Sequence, residues 1–356
     1  SGFGFLSDFG FRISDFPRPF PQEVSVTPAL RVLLTGANGF LGSHILDRLQ
    51  AEGIATRVLL RPSSDTQFIR AHLERTEVCH GSITDPDSLP PALEGITHII
   101  HCAGKTKALR VAEYSAANQQ GTRNLVEAAN ARAGEVRRFV FISSLAASHP
   151  AGAEAPAREE DPPGPVTEYG RSKLAGEQEV RRHCRAPFTI LRPAAVYGPR
   201  DRDVLVSIKC LRAPVRPSFG NERQALSFIF VKDAADAVVR CLTHEKALGQ
   251  TYNLASPEVL TFGGVVAEIT RQLGRRSLAL PLPAGVLWLA CAGQELLSRL
   301  TNRPHILSRG KYPELRAPGW VCDTTRIQRD LDFVAPTRFQ AGLAETLKWY
   351  REANWL

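Results

Sequence analysis

Gly36-Ala37-Asn38-Gly39-Phe40-Leu41-Gly42 follows the apolar run Arg31-Val32-Leu33-Leu34-Thr35 and leads into Ser43-His44-Ile45-Leu46-Asp47-Arg48-Leu49. The order is strand, tight turn, helix, a context in which glycines at these spacings let the backbone turn sharply and approach a pyrophosphate. Free N–H groups and the positive end of the helix then meet the anion's charge. A side chain at Gly36 or Gly39 is expected to block that approach.

Further along stands Tyr169-Gly170-Arg171-Ser172-Lys173. The i, i+4 spacing places Tyr169 and Lys173 on one face of a helix, one turn apart. A phenol near pKa 10 is a poor base at neutral pH, and a neighbouring cation favours the phenolate. Lys173 is the candidate for that cation. Either segment alone occurs by chance; in this order and separation they point together to a nicotinamide enzyme with a tyrosine acid/base.

Between and around them, apolar runs alternate with helical patterns. Arg31–Thr35, Thr56–Leu60, Glu77–His80, His98–His101, Phe139–Ser143 and Thr189–Arg192 read as strands. Their apolar residues do not alternate with polar ones, as expected of a parallel sheet covered by helices on both faces. The predicted fold is α/β, a doubly wound parallel sheet with a smaller C-terminal lobe. Residues 30–197 are assigned to the cofactor domain, with 225–256 returning to it through Phe228–Val231 and the helix after Asp233. Residues 198–224 and 257–356 are assigned to the substrate lobe. Residues 1–29, rich in Phe and Pro, lack the apolar core of a signal peptide and read as a disordered or loosely packed leader, so secretion is not expected.

With these motifs in view, the chain resembles the extended short-chain dehydrogenase/reductase family from about Leu30 to the C-terminus. Arg138-Phe139-Val140-Phe141-Ile142-Ser143-Ser144 looks like the family's strand ending in the catalytic serine, with Ser144 at the matching position and Ser143 as its competitor. Asn118-Gln119-Gln120-Gly121-Thr122, Leu191-Arg192-Pro193-Ala194-Ala195-Val196-Tyr197-Gly198-Pro199, Phe228 to Ala237 and Trp349-Tyr350 match too. The resemblance implies a Rossmann fold, with Ser144, Tyr169 and Lys173 as catalytic groups and Asn118 shaping the site. It implies cofactor contacts from Gly36, Asn38, Gly39, Phe40, Leu41, Gly42, Arg61, Ser82, Ile83, Ala103, Tyr169, Lys173, Pro193 and Val196.

The second strand ends in Arg61, followed by Pro62, Ser63 and Ser64. Enzymes for NAD usually carry an acid there to hold the ribose 2′-hydroxyl, whereas a cation suits a 2′-phosphate. NADP(H) is therefore favoured over NAD(H). Ser82 stands where the family often has an Asp beside the adenine, a weaker but workable acceptor.

Composition narrows the class. The chain has 356 residues, 43% of them apolar, which suits a globular core and excludes bulk disorder. Its net charge of +8 is scattered and interleaved with acids, so no nucleic-acid role is expected. Seven isolated cysteines without a C-x-x-C pair suit reduced thiols and a cytoplasmic location. No metal site is expected, since His44, His72, His80, His98 and His101 form no recognisable ligand set, and His98 and His101 read as packing residues. Leu278 to Ala292 is the most apolar segment; it is too short to span a membrane and is broken by prolines. It is expected as a buried or partly buried helix, the alternative being an apolar lid or peripheral membrane contact. A homodimer is common in the family.

Two departures bear on the small-molecule substrate. Members that act on nucleotide sugars carry an Asn where this chain has Ala195, and an Arg-Asp pair where it has Leu226-Ser227. Their absence removes charge-assisted contacts to a diphosphate. Arg192, Arg200, Arg202, Arg212, Arg216 and Arg223 are available substitutes. The chain looks closer to the branch with 3β-hydroxysteroid dehydrogenases and dihydroflavonol reductases. The expectation is an NAD(P)-dependent oxidoreductase interconverting a secondary alcohol and ketone on a sterol-, terpenoid- or polyphenol-like substrate. The alternatives are a sugar epimerase or dehydratase retaining its NAD, and a non-catalytic NADP(H)-binding regulator.

Overall fold

The computed structural model describes residues 30–218, 222–275, 277–301 and 309–356; the leader expected at 1–29 lies outside them. In chain order the strands are β1 (Arg31–Thr35), β2 (Ala55–Leu60), β3 (Glu77–His80), β4 (His98–His101), β5 (Arg138–Ile142), β6 (Phe188–Pro193), β7 (Ala195–Tyr197), β8 (Val215–Ser218), β9 (Ala225–Phe230), β10 (Thr251–Leu254), β11 (Val259–Thr261), β12 (Leu278–Pro281) and β13 (Gly319–Trp320). The helices are α1 (Phe40–Ala51), α2 (Leu89–Ala92), α3 (Val111–Tyr114), α4 (Gly121–Asn130), α5 (Glu168–His183), α6 (Arg202–Leu211), α7 (Val231–Arg240), α8 (Phe262–Gln272), α9 (Ala284–Thr301), α10 (Tyr312–Arg316), α11 (Thr325–Leu331) and α12 (Phe339–Glu352).

Seven strands pair in parallel in the order β3-β2-β1-β4-β5-β6-β10. The order reverses between β1 and β4, which opens a crevice at their carboxyl ends, the place where such sheets bind ligands. Alternate residues of each strand feed opposite cores. Val32 and Leu34 join Ile45, Leu46 and Leu49 of α1 and Val238 of α7, whereas Leu33 joins Leu125 of α4 and Val180 of α5. Covering both faces explains why β2, β5 and β6 are buried almost end to end, Arg57 and Arg192 included.

All six predicted strands lie in this sheet, with ends displaced by a residue at most. Phe228–Val231 returns to this core through Ile229 but does not join the sheet. It falls largely in β9, which pairs with β7, β11 and β13 in a separate sheet. The aromatic side chains account for this placement: Phe228 and Phe230 pack on Tyr197 at 6.1 and 5.6 Å, and Phe228 meets Phe339 at 5.3 Å, forming the core of the lobe. The strand that completes the main sheet is β10, a four-residue run interrupted by Asn253.

The apolar segment 278–292 divides into β12, which is exposed along its length, and the first half of α9. That helix buries Leu287 and Cys291 but exposes Trp288 and Leu289, so it is partly rather than wholly covered. Among the described residues, no helix is long and apolar enough to cross a membrane.

Candidate active site

The glycine turn closes the crevice from below. Gly36 has φ +76°, and a Cβ there would lie 2.6 Å from the Ala103 nitrogen, at the carboxyl end of β4. A Cβ on Gly42 would lie 2.0 Å from the Gly36 carbonyl oxygen. Gly39 is less constrained than the sequence suggests: its φ is −80°, and a Cβ would only touch the Gly36 oxygen at 3.2 Å. Gly42, the third glycine, holds the helix against the turn. Gly39 precedes the first turn of α1, which has no side-chain cap and no acid, so its leading N–H groups remain for an anion. This cradle fits a dinucleotide pyrophosphate. Gly36→Val, through backbone strain and overlap with Ala103, is expected to cost about 2–4 kcal/mol of stability. It should also weaken dinucleotide binding roughly 100-fold, equivalent to about 3 kcal/mol of lost approach. Thermal melts and a fluorescence titration check both.

Across the crevice, Thr167 caps α5 by accepting a hydrogen bond from the Gly170 N–H at 3.0 Å. The helix presents Tyr169, Lys173 and Glu177 on one face, each a turn apart. Ser144, the first residue after Ser143 at the end of β5, hydrogen-bonds the Tyr169 phenol and accepts the Ala146 N–H at 3.2 Å. Ser143 is committed elsewhere: its hydroxyl donates to Glu177 Oε1 at 2.6 Å in the buried interior. The two neighbouring serines thus point to opposite sides, and Ser144 is the one that faces the tyrosine.

Electrostatics depart from the expected order. Burial pushes the Tyr169 phenol up to about 12; the Ser144 hydrogen bond opposes this, while the charges of Glu314 and Cys102 add to it. Burial lowers the Lys173 ammonium to about 8, opposed by Cys102 and Glu177. Lys173 Nζ donates to the Ile142 carbonyl at 2.5 Å and lies 4.5 Å from the centre of the Phe141 ring. The lysine is therefore anchored to the end of β5, and burial rather than the lysine sets the direction at the phenol.

Asn118 sits in a turn of π-helix, Ser115–Gln120, inserted between α3 and α4. Its side chain accepts the Lys105 N–H at 2.8 Å and donates to the Lys105 carbonyl at 2.9 Å and to Ser172 Oγ at 2.8 Å. Ser172 in turn donates to the Tyr169 carbonyl at 2.7 Å. Asn118 thereby ties the loop after β4 to the tyrosine's own helix turn. Such π turns concentrate at functional sites.

The residues expected along the nucleotide are spread along the sheet's carboxyl edge. Asn38, Phe40 and Leu41 are half-buried in the glycine turn and the start of α1. Arg61 is exposed just after β2, in a turn held by its N–H donating to Ser64 Oγ at 3.1 Å and by the Ser64 N–H donating back to its carbonyl at 2.9 Å. Ser82 shares a hydrogen bond with Thr84 at 2.9 Å. Ile83 is buried against Gly121, with its carbonyl accepting from Asn124 at 2.9 Å. Pro193 is buried at the end of β6, and Val196 is half-buried in β7. His101, buried between Thr35 (2.8 Å) and Thr122 (3.0 Å), is held neutral with its pKa near 3.

A match to the NAD dependent epimerase/dehydratase family spans residues 32–255, the sheet and crevice just described. The chain belongs to that family. It is an NAD(P)-dependent enzyme of the extended short-chain dehydrogenase/reductase type. Relatives include the ceramide reductase of Caulobacter vibrioides, 31% identical over 91% of this chain and 96% of that protein. Sterol demethylase protein B of Methylococcus capsulatus is 30% identical, over 91% of this chain and 99% of that one. Among solved structures, the Bordetella bronchiseptica enzyme WbmG in complex with NAD and UDP superposes with a TM-score of 0.72 at 25% identity, covering 91% of this chain and 96% of that one.

Three contributors escaped the sequence reading. Tyr114 packs near Tyr169, with ring centres 6.3 Å apart and planes tilted by 56°. Glu314 of α10 lies close enough to act on the phenol. Glu177 could have been found from helical register, since it is four residues after Lys173 on the same face. Tyr114 and Glu314 come from distant segments and carry no such signal.

Proposed function

We propose that this enzyme interconverts a secondary alcohol and a ketone on an apolar, lipid-like substrate with NADP(H). The observation that carries the reading is the fate of four of the six arginines available to grip a diphosphate. Arg192 is buried and paired with Glu177 at 2.7 Å, Arg200 is paired with Asp47 at 2.8 Å, and Arg216 is paired with Glu222 at 2.9 Å. Arg202 stacks over Phe68 and Trp355. These four cations are already paired or stacked, Arg212 and Arg223 stand exposed, and Ala195 and Leu226 add no polar group. The names of the ceramide and sterol relatives support a lipid substrate.

In this reading Tyr169 exchanges a proton with the substrate oxygen, and Ser144 hydrogen-bonds the same oxygen. Lys173 holds positive charge beside them. A bound nicotinamide supplies or accepts the hydride. Arg61, with no carboxylate in the turn to Ser64, supports the 2′-phosphate.

Because the Lys173 ammonium loses its proton as pH rises through about 8, kcat/KM should fall above that value and plateau below it. A profile flat to pH 10 would remove the lysine's charge from the chemistry. The function itself is tested by identifying dinucleotide released on denaturation and by following NADPH and NADH oxidation with a long-chain ketone. Weak retention with NADPH-dependent turnover supports the proposal. Near-stoichiometric retained NAD without turnover would transfer the case to a nucleotide-sugar epimerase, the reading favoured by the NAD and UDP bound to WbmG.

A further inference from the structure

Eight of the fourteen large apolar side chains exposed among the described residues gather on one part of the lobe. On α9, Val286, Leu289, Leu297 and Leu300 recur at helical spacing, and Leu289 and Leu300 are 63% and 76% exposed. Trp288, about 100° further round the helix from Leu289, is 45% exposed. The opposite face, with Leu287, Cys291 and Ser298, is the buried one. A helix on a water-facing surface shows polar residues outward; here the outward face is aliphatic. Next to it in sequence, β12 exposes Leu278 and Leu280, and its partner β8 sets Val215 opposite Leu278.

The exposed cations around this patch outnumber its acids, Glu222 and Glu295, each of which is already paired. Residues 209–218 and 273–294 contain no Asp or Glu, while Lys209, Arg212 and Arg275 are exposed there. Nearby Arg309 is already matched by Glu295. A second copy of the chain meeting this face symmetrically would set these cations against themselves, and like charges across an interface are costly. An anionic surface that accepts aliphatic side chains and an interfacial tryptophan satisfies both features.

We infer that α9, β12 and the neighbouring β8 form a face that docks on an anionic phospholipid bilayer, lying in its interface without crossing it. α10 packs on α9, and Glu314 of α10 acts on Tyr169, so the docked face adjoins the chemistry. Docking stands on the surface alone; that the bilayer delivers the substrate rests on the function proposed above.

The test is flotation of the full chain with vesicles of phosphatidylcholine alone and of phosphatidylcholine mixed with phosphatidylglycerol, with sedimentation of the free protein. The expected result is salt-sensitive flotation with the anionic vesicles. Leu289→Ser with Leu300→Ser, and separately Lys209→Gln with Arg212→Gln and Arg275→Gln, should each reduce it roughly tenfold or more. All these side chains are exposed, so the fold and the turnover of a detergent-dispersed ketone should persist. Absent flotation, flotation indifferent to both variants, or a dimer that the leucine variant dissolves would overturn the inference. Flotation without turnover on any ketone would sink the proposed function and leave the docking face standing.

Discussion

Tyr169→Phe is expected to reduce turnover by about 10³-fold, the usual worth of a positioned acid/base. The ring is retained, and only the hydroxyl that meets Ser144 is removed. Dinucleotide affinity should therefore change by no more than about twofold, and stability by no more than about 0.5 kcal/mol. Stopped-flow NADPH oxidation and a binding titration on the same preparation separate the two effects. Persisting turnover in Tyr169→Phe would mean that another group carries the proton. A wild type that binds dinucleotide but turns over no substrate would favour a binding regulator.

The second large effect concerns an ion pair next to the chemistry. Glu177 and Arg192 meet through two hydrogen bonds, at 2.8 and 2.7 Å, with side chains 1% and 4% exposed. Arg192→Met leaves the carboxylate buried with only the Ser143 hydroxyl at 2.6 Å and the more distant Arg181 at 3.9 Å. The expected cost is about 3–5 kcal/mol, because an uncompensated charge remains in the interior. Arg192→Met with Glu177→Leu should recover most of it, since the pair as a whole contributes little beyond its own desolvation. Urea melts of the single and double variants measure this. The double variant also removes the carboxylate charge that raises the Lys173 pKa, so its alkaline limb should move below about 8. An unmoved limb would separate Glu177 from the lysine.

The parts of this molecule legible in the sequence are those governed by local rules. Glycine spacing, an i, i+4 pair and unalternating apolar runs are fixed by backbone geometry within a few residues, and they located the crevice, Tyr169 and Lys173. What was not legible depends on where distant segments meet. Phe228 reads as a core strand, and it is one, but in a different core, because Tyr197 and Phe339 were invisible as its partners. Arg192 reads as a free cation until Glu177 is placed beside it. The direction of the tyrosine's pKa was misjudged for the same reason: the spacing puts Lys173 one turn away but does not show how far burial removes water from both groups.

The position of β10 carries a consequence for how the chain folds. β6 ends at Pro193, but the strand that covers its outer edge begins only at Thr251. Everything between belongs to the lobe and to α7. During synthesis the nearly complete sheet therefore waits with one flank of unpaired N–H and C=O groups, an invitation to pair with another chain. Closing it requires a contact between distant parts of the sequence, the slow kind. A chain interrupted anywhere in 198–250 keeps the glycine turn, Tyr169 and Lys173 while lacking its last strand, and its fate is governed by edge-to-edge association rather than by the quality of its active site.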